Sequence, residues 1–219
     1  MVPIRVLWAD ESVLAVLKPA GMPVQADPTG DPDLLSITRT QQREPTLQIT
    51  HRLDRPVSGV VLFARSPQAT AHLNEQFRLR LVHKVYWAIV EGHVPGVKVV
   101  EGVVEHDPRT RKAMVSEVHE QAVVAKLKIT PITLGDRYTL VEVQPSGGAF
   151  HQIRAQLSRA GWPIKGDVKY GARRGEKDRS IALHARSIAF RTLHAEDVSV
   201  VAPAPGTAIW NALLGSLRP

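Results

Sequence analysis

Two observations predict an α+β fold with a mixed, largely antiparallel β-sheet and flanking helices. Short runs of β-branched and aromatic residues recur along the chain, most of them bounded by Gly, Pro, Asp or Ser, whereas helical periodicity surfaces at only a few places. The 219 residues are 43% apolar and 22% charged, enough for one well-cored domain spanning 1–219. No internal repeat or low-complexity tract divides them.

In chain order, Val6-Leu7-Trp8 and Val13 to Leu17 read as two strands around the turn Ala9-Asp10-Glu11-Ser12, and Lys18-Pro19-Ala20-Gly21 breaks the second. Residues 25–35 hold three Asp, two Pro and one Gly and read as a loop. Residues 36–50 are polar, with Arg39 and Arg43, and read as a solvated surface in preference to a mobile RNA-facing segment. Pro56 restricts one backbone angle and Gly59 frees another, so 54–59 reads as a tight loop. Val60 to Ala64 then reads as a buried strand. Ser66-Pro67 is an N-cap followed by Pro at the first helical position, and Ala69, Leu73 and Phe77 form one stripe of a helix reaching about Leu81.

Lys84 to Val90 alternates as a strand and ends at Glu91-Gly92. Residues 99–105 and 112–118 read as strands joined by Asp107-Pro108-Arg109-Thr110-Arg111, and 122–130 and 137–144 as two more around Thr133 to Asp136. Gly147-Gly148-Ala149-Phe150 leads into a helix from His151 that Gly161 ends. Ile153, Leu157 and Ala160 form its buried side, with Arg154 at the edge of that face. Ile181 to Phe190 reads as a final strand, before a Pro-rich tail and a short helix near 207–217.

The 28 Lys and Arg against 21 Asp and Glu leave a formal charge of +7, which suits a polyanion such as RNA and equally suits plain solubility. There is no cysteine, which excludes disulfides, thiolate catalysis and Cys-based zinc or iron–sulfur sites. The start of the chain lacks the pattern of a signal peptide, and no apolar run approaches the roughly 20 residues of a membrane span. A soluble cytoplasmic protein that does not engage a membrane is therefore expected.

Chemistry centres on His51-Arg52-Leu53-Asp54-Arg55-Pro56-Val57-Ser58-Gly59, where Arg52 and Arg55 bracket one carboxylate at the mouth of a buried strand. Alone, such an Asp is more often a turn or capping residue. The string, however, resembles the signature of the RluA-type pseudouridine synthases, His-Arg-Leu-Asp-x-x-x-Ser/Thr-Gly. Further matches follow in family order: Lys18-Pro19-Ala20-Gly21, then Lys84-Val85-Tyr86-Trp87-Ala88, then His151-Gln152-Ile153-Arg154, then Gly161 to Gly171, then Leu183-His184-Ala185. The resemblance runs from about Val6 to Phe190.

That resemblance implies a pseudouridine synthase fold with a central RNA-binding cleft, and isomerisation of specific uridines in rRNA or tRNA. Asp54 is implied as the catalytic carboxylate, Tyr86 as the aromatic platform for the base, and Arg154 as the ion-pair partner of the aspartate. Arg52 is implied to fill the space of a flipped uridine or to meet a phosphate. Arg55, Lys84, His151, Gln152 and Arg159 are the further candidate RNA contacts, with a structural hydrogen-bonding role the plainer reading of His151. The 161–171 segment would shape the loop beneath the site. Breaking an N1–C1′ bond and remaking a C5–C1′ bond consumes no energy source, so neither metal nor cofactor is expected, and the chain has no GxxxxGK[ST] loop. An arginine beside such a carboxylate favours its charged form and holds its orientation. Stacking a base on an aromatic ring is worth about 1–3 kcal/mol, against an unstacking cost of a few kcal/mol.

Two departures stand out. The family places a basic and a hydroxyl residue before the His of the third string, where this chain has Ala149 and Phe150. Few residues precede the first strand, so no upstream S4 RNA-binding domain is expected and target choice falls to the catalytic domain. The first departure motivates a competing reading, a catalytically impaired RNA-binding or RNA-folding module of the same fold; the retained Asp54, Tyr86 and Arg154 argue against it. A metal-dependent hydrolase is weaker, because none of the nine histidines lies in an H-x-x-x-H or H-E-x-x-H arrangement. The sequence yields no oligomeric state, with a monomer the favoured expectation.

Overall fold

A computed structural model of the chain describes residues 3–118 and 123–216. It resolves into two compact units, one of residues 1–84 and 185–204, the other of 85–184 and 205–219. Strands β5 (His83–Glu91) and β10 (Leu183–Arg191) each contribute residues to both. The expected α+β class, a mixed sheet with helices, is observed, with four α-helices among the described residues.

In the first unit, β1 (Arg5–Ala9), β2 (Val13–Lys18) and β4 (Ser58–Ala64) lie side by side and antiparallel, and two-residue β3 (Gln48–Ile49) also pairs with β4. The run Val60 to Ala64 is wholly buried, as its uninterrupted apolar character requires. Gly59 sits at φ +126°, and a Cβ there would come within 2.4 Å of the carbonyl oxygen of Ala185. Glycine is thus demanded twice, by backbone angle and by close approach. Helix α2 (Pro67–Arg78) begins where Ser66 accepts the N–H of Ala69, and buries Ala69 and Leu73. It ends about a turn earlier than the sequence suggests. On its inner side Gln76 exchanges two hydrogen bonds with the backbone of Arg191.

Two features of this unit correct the sequence reading. Residues 36–50 are not merely a solvated surface: α1 (Leu34–Gln42) buries Leu34, Leu35, Ile37 and Thr38. The carboxylate of Asp33 caps it by accepting the N–H of Ser36 at 2.9 Å. The Asp- and Pro-rich composition just before it masked that cap. Nor is the strand ending near Phe190 the last one, since β11 (Asp197–Val201) folds back on β10 from Ser187 to Arg191.

In the second unit the antiparallel order is β5, β9 (Tyr138–Pro145), β8 (Val124–Leu134), β6 (Lys98–Asp107), β7 (Lys112–Ser116). Position 122, where a strand was expected to start, and 217, the expected end of the last helix, lie outside the described residues. Pro131 stands at an irregularity of β8, beyond the stretch that pairs with β6. A residue without an N–H is tolerated there. The core gathers Ala88, Ile89, Val90, Leu127, Ile129, Leu140, Val141, Val143 and Leu157. Helix α3 (Gln152–Arg159) packs over β6 to β9, and α4 (Ala208–Gly215) buries Trp210 and Leu213.

Candidate active site

Asp54 closes a tight turn in the first unit, its carbonyl accepting the N–H of Val57 at 3.0 Å. The support beneath that turn is Lys18, the last residue of β2 and fully buried. Its Nζ donates to the carbonyls of Val57, Pro19 and Arg55 at 2.6, 3.0 and 3.1 Å. One ammonium therefore ties the end of a core strand to both sides of the loop. Burial lowers its pKa to about 7, opposed by the charge of Asp54 and reinforced by that of Arg55.

His51 anchors the other end of the string. Its Nε2 accepts the N–H of Leu62 in β4 at 3.0 Å, so the ring is neutral with its proton on Nδ1. The ring lies 5.0 Å from that of Phe77. Burial, with a smaller contribution from Lys84, pulls its pKa down to about 3. Burial likewise lowers that of Lys84, helped by Arg80.

Arg52 is exposed. Arg55 instead turns back on its own unit. Its Nε donates to Gly21 at 2.9 Å and Nη1 to Thr29 at 3.1 Å; it also pairs with Asp31, and with Asp27 at 3.5 Å. The Gly21 N–H returns a bond to the Arg55 carbonyl at 2.8 Å. Arg55 thus organises the 21–31 loop.

In the second unit, Tyr86 is half-buried on β5 opposite Val143. Arg154 does not lie at the edge of the α3 face but is 5% exposed. Its Nε and Nη2 donate to the two carboxylate oxygens of Asp167 at 2.7 and 2.8 Å, a bidentate buried pair. Its Nη1 donates to His151 Nε2 at 2.9 Å. Because a guanidinium only donates, that nitrogen must accept, and the proton sits on Nδ1, which donates to the Tyr170 hydroxyl at 2.8 Å. The same hydroxyl accepts the N–H of Ala113 at 2.6 Å. The Tyr170 ring lies 4.9 Å from the Arg154 guanidinium. Burial, then the charges of Arg154 and Lys169, hold the His151 pKa down to about 3.

The second unit therefore brings Arg154 and His151 together with Asp167 and Tyr170. It directs Gln152 and Arg159 elsewhere. Gln152 is buried, its amide donating to the Lys126 carbonyl at 3.2 Å and accepting from Ala149 N–H at 3.3 Å. Arg159 donates to the Val115 carbonyl. Sequence reasoning assigned no role to Lys18, Asp167 or Tyr170, although all three lie in strings it singled out. A lysine closing an apolar strand, and an Asp-x-x-Tyr after a helix end, were the available signals. Among the described residues no group of three His, Asp or Glu is arranged to hold a metal, and no helix is long and apolar enough to cross a membrane.

Residues 12–159 match the family model described as RNA pseudouridylate synthase. Ribosomal large subunit pseudouridine synthase D of Xylella fastidiosa is 33% identical over 229 residues, covering 93% of this chain and 67% of that protein. The tRNA pseudouridine synthase C of Haemophilus ducreyi is 30% identical over 208 residues, covering 84% of each. The chain spans about two thirds of the D synthases it matches, 67% of that from Xylella fastidiosa and 65% of that from Xanthomonas campestris. Among solved structures, human RNA Pseudouridylate Synthase Domain Containing 1 shares the fold with a TM-score of 0.80 at 24% identity, over 96% of this chain and 87% of that one. A match across 12–159 of 219 residues, joined to relatives at 30% identity or more over most of the chain, decides the matter: this chain belongs to the RNA pseudouridylate synthase family.

Proposed function

We propose that this chain isomerises specific uridines of rRNA or tRNA to pseudouridine, with Asp54 as the catalytic carboxylate. The observation that carries the reading is the Lys18 clamp. A carboxylate on a loop whose Arg55 and Val57 carbonyls are both held by one buried ammonium is preorganised, and preorganisation is what catalysis asks of such a group. Arg154, oriented by Asp167 and His151, and Tyr86, offering a half-buried ring, serve the same reaction. A base must leave its stack to be turned, so the target uridine is flipped out. Exposed Arg52 suits a phosphate contact or the vacated space. Arg55, Gln152 and Arg159 act chiefly by shaping loops, given the protein partners they already hold.

The experiment is complementation. RNA from cells lacking this chain is mapped with a pseudouridine-sensitive chemical read-out, with and without restored wild type or Asp54→Asn. One or a few sites are expected to depend on the chain and to stay unmodified with D54N, while D54N melts at the wild-type temperature. Full modification by D54N would refute the role of Asp54.

A further inference from the structure

The Ala149-Phe150 departure puts an aromatic ring at the surface of the second unit. Phe150 is 44% exposed, immediately before α3. A lone exposed apolar ring is ordinary. This one lies 3.8 Å from the His151 ring and nearly parallel to it, at 19°. The exposed His106 ring on β6 meets it at 4.5 Å and 70°. The base of the stack is rigid, because His151 is held by Arg154 on one nitrogen and Tyr170 on the other. Beside it, the β6–β7 turn presents exposed Arg109 and Arg111, and Lys169 Nζ donates to the Arg111 carbonyl at 2.6 Å. A pre-formed aromatic surface beside exposed cations is the combination that single-stranded nucleic acid uses: bases stack and phosphates find charge.

We propose that Phe150 and His106 form a shelf on which one unpaired nucleobase of the RNA stacks, with Arg109 and Arg111 facing its phosphates. The ligand class rests on the function proposed above. In this chain the shelf stands at the positions of the family's basic and hydroxyl pair, which makes it a specificity element favouring a target uridine with an unpaired neighbour.

The test compares binding of dye-labelled oligouridylate with that of an abasic ribose-phosphate strand of equal length, by fluorescence anisotropy at fixed salt. Wild type is expected to prefer oligouridylate. Phe150→Ala should weaken that binding about tenfold, the size of one lost stack, and leave the abasic strand unaffected. Phe150→Trp should keep the preference, and His106→Ala should reduce it in part. Replacing Arg109 and Arg111 by Ala should weaken both probes alike and flatten the salt dependence. Equal effects of F150A on the two probes, or none on either, overturn the shelf, as does a wild type with no preference for bases. Unchanged melting of F150A and retained binding by F150W separate lost stacking from lost folding. Because binding needs no turnover, a chain that binds through Phe150 yet makes no pseudouridine would refute only the catalytic reading.

Discussion

Arg154 and Asp167, 13 residues apart, meet through two N–H···O bonds of 2.7 and 2.8 Å with side-chain exposures of 6% and 1%. A buried pair of this kind is costly to assemble and costlier to break, since removing one partner strands a charge without water. It also fixes the guanidinium so that Nη1 can hold His151.

Asp167→Asn is accordingly expected to destabilise the second unit by about 3–5 kcal/mol, measured by urea unfolding. Arg154→Lys keeps the charge but lacks the fork, and should recover only part of that stability. A cost below about 1 kcal/mol for either would show the pair to be energetically idle.

Lys18→Met should remove the Nζ donor of the Val57 carbonyl and leave the Arg55 carbonyl to the Gly21 N–H. A loss of about 3 kcal/mol or more is expected, together with a kcat that falls more than KM rises, since a loosened Asp54 loop affects the reacting group before it affects RNA binding. The pH dependence carries a sign. The folded-state pKa of Lys18 is lowered to about 7 from 10.5, so between these values the unfolded chain binds more protons. The contribution of this group to stability therefore rises with pH from about 7 to 10.5. Chemical denaturation across that window should show the slope in wild type and its loss in K18M.

On the acid side His51 is one of two histidines whose pKa burial lowers to about 3. Its folded pKa of about 3 lies below the ordinary 6.5, so the unfolded chain takes up the proton first as pH falls. Stability is expected to drop from about pH 6.5 downward by at most about 1.4 kcal/mol per pH unit from this ring, with His151 adding in the same direction. His51→Gln should lower stability at pH 7 and flatten the acid limb. An acid limb unchanged in H51Q would overturn the contribution of His51 and leave the limb to His151 and the carboxylates.

Local signals carried much of the architecture. The β-branched run Val60 to Ala64, the Ser66-Pro67 cap and the alternation from Lys84 to Val90 each depend on neighbours a few residues away, and each became the expected element. The ordered strings around Asp54, Tyr86 and Arg154 pointed to the family the same way. Helix α1 was legible in principle through Asp33 and Ser36 but was hidden by the turn-rich composition before it. Packing alone decided the rest. Lys18 meets Arg55 and Val57 across 37 and 39 residues, and Ala113 meets Tyr170 across 57. Periodicity says which face of an element is apolar, but not which polar group is carried into the interior with it. That outcome depends on which distant carbonyl, carboxylate or hydroxyl the folded chain places within 3 Å of a charge that would otherwise be too costly to bury.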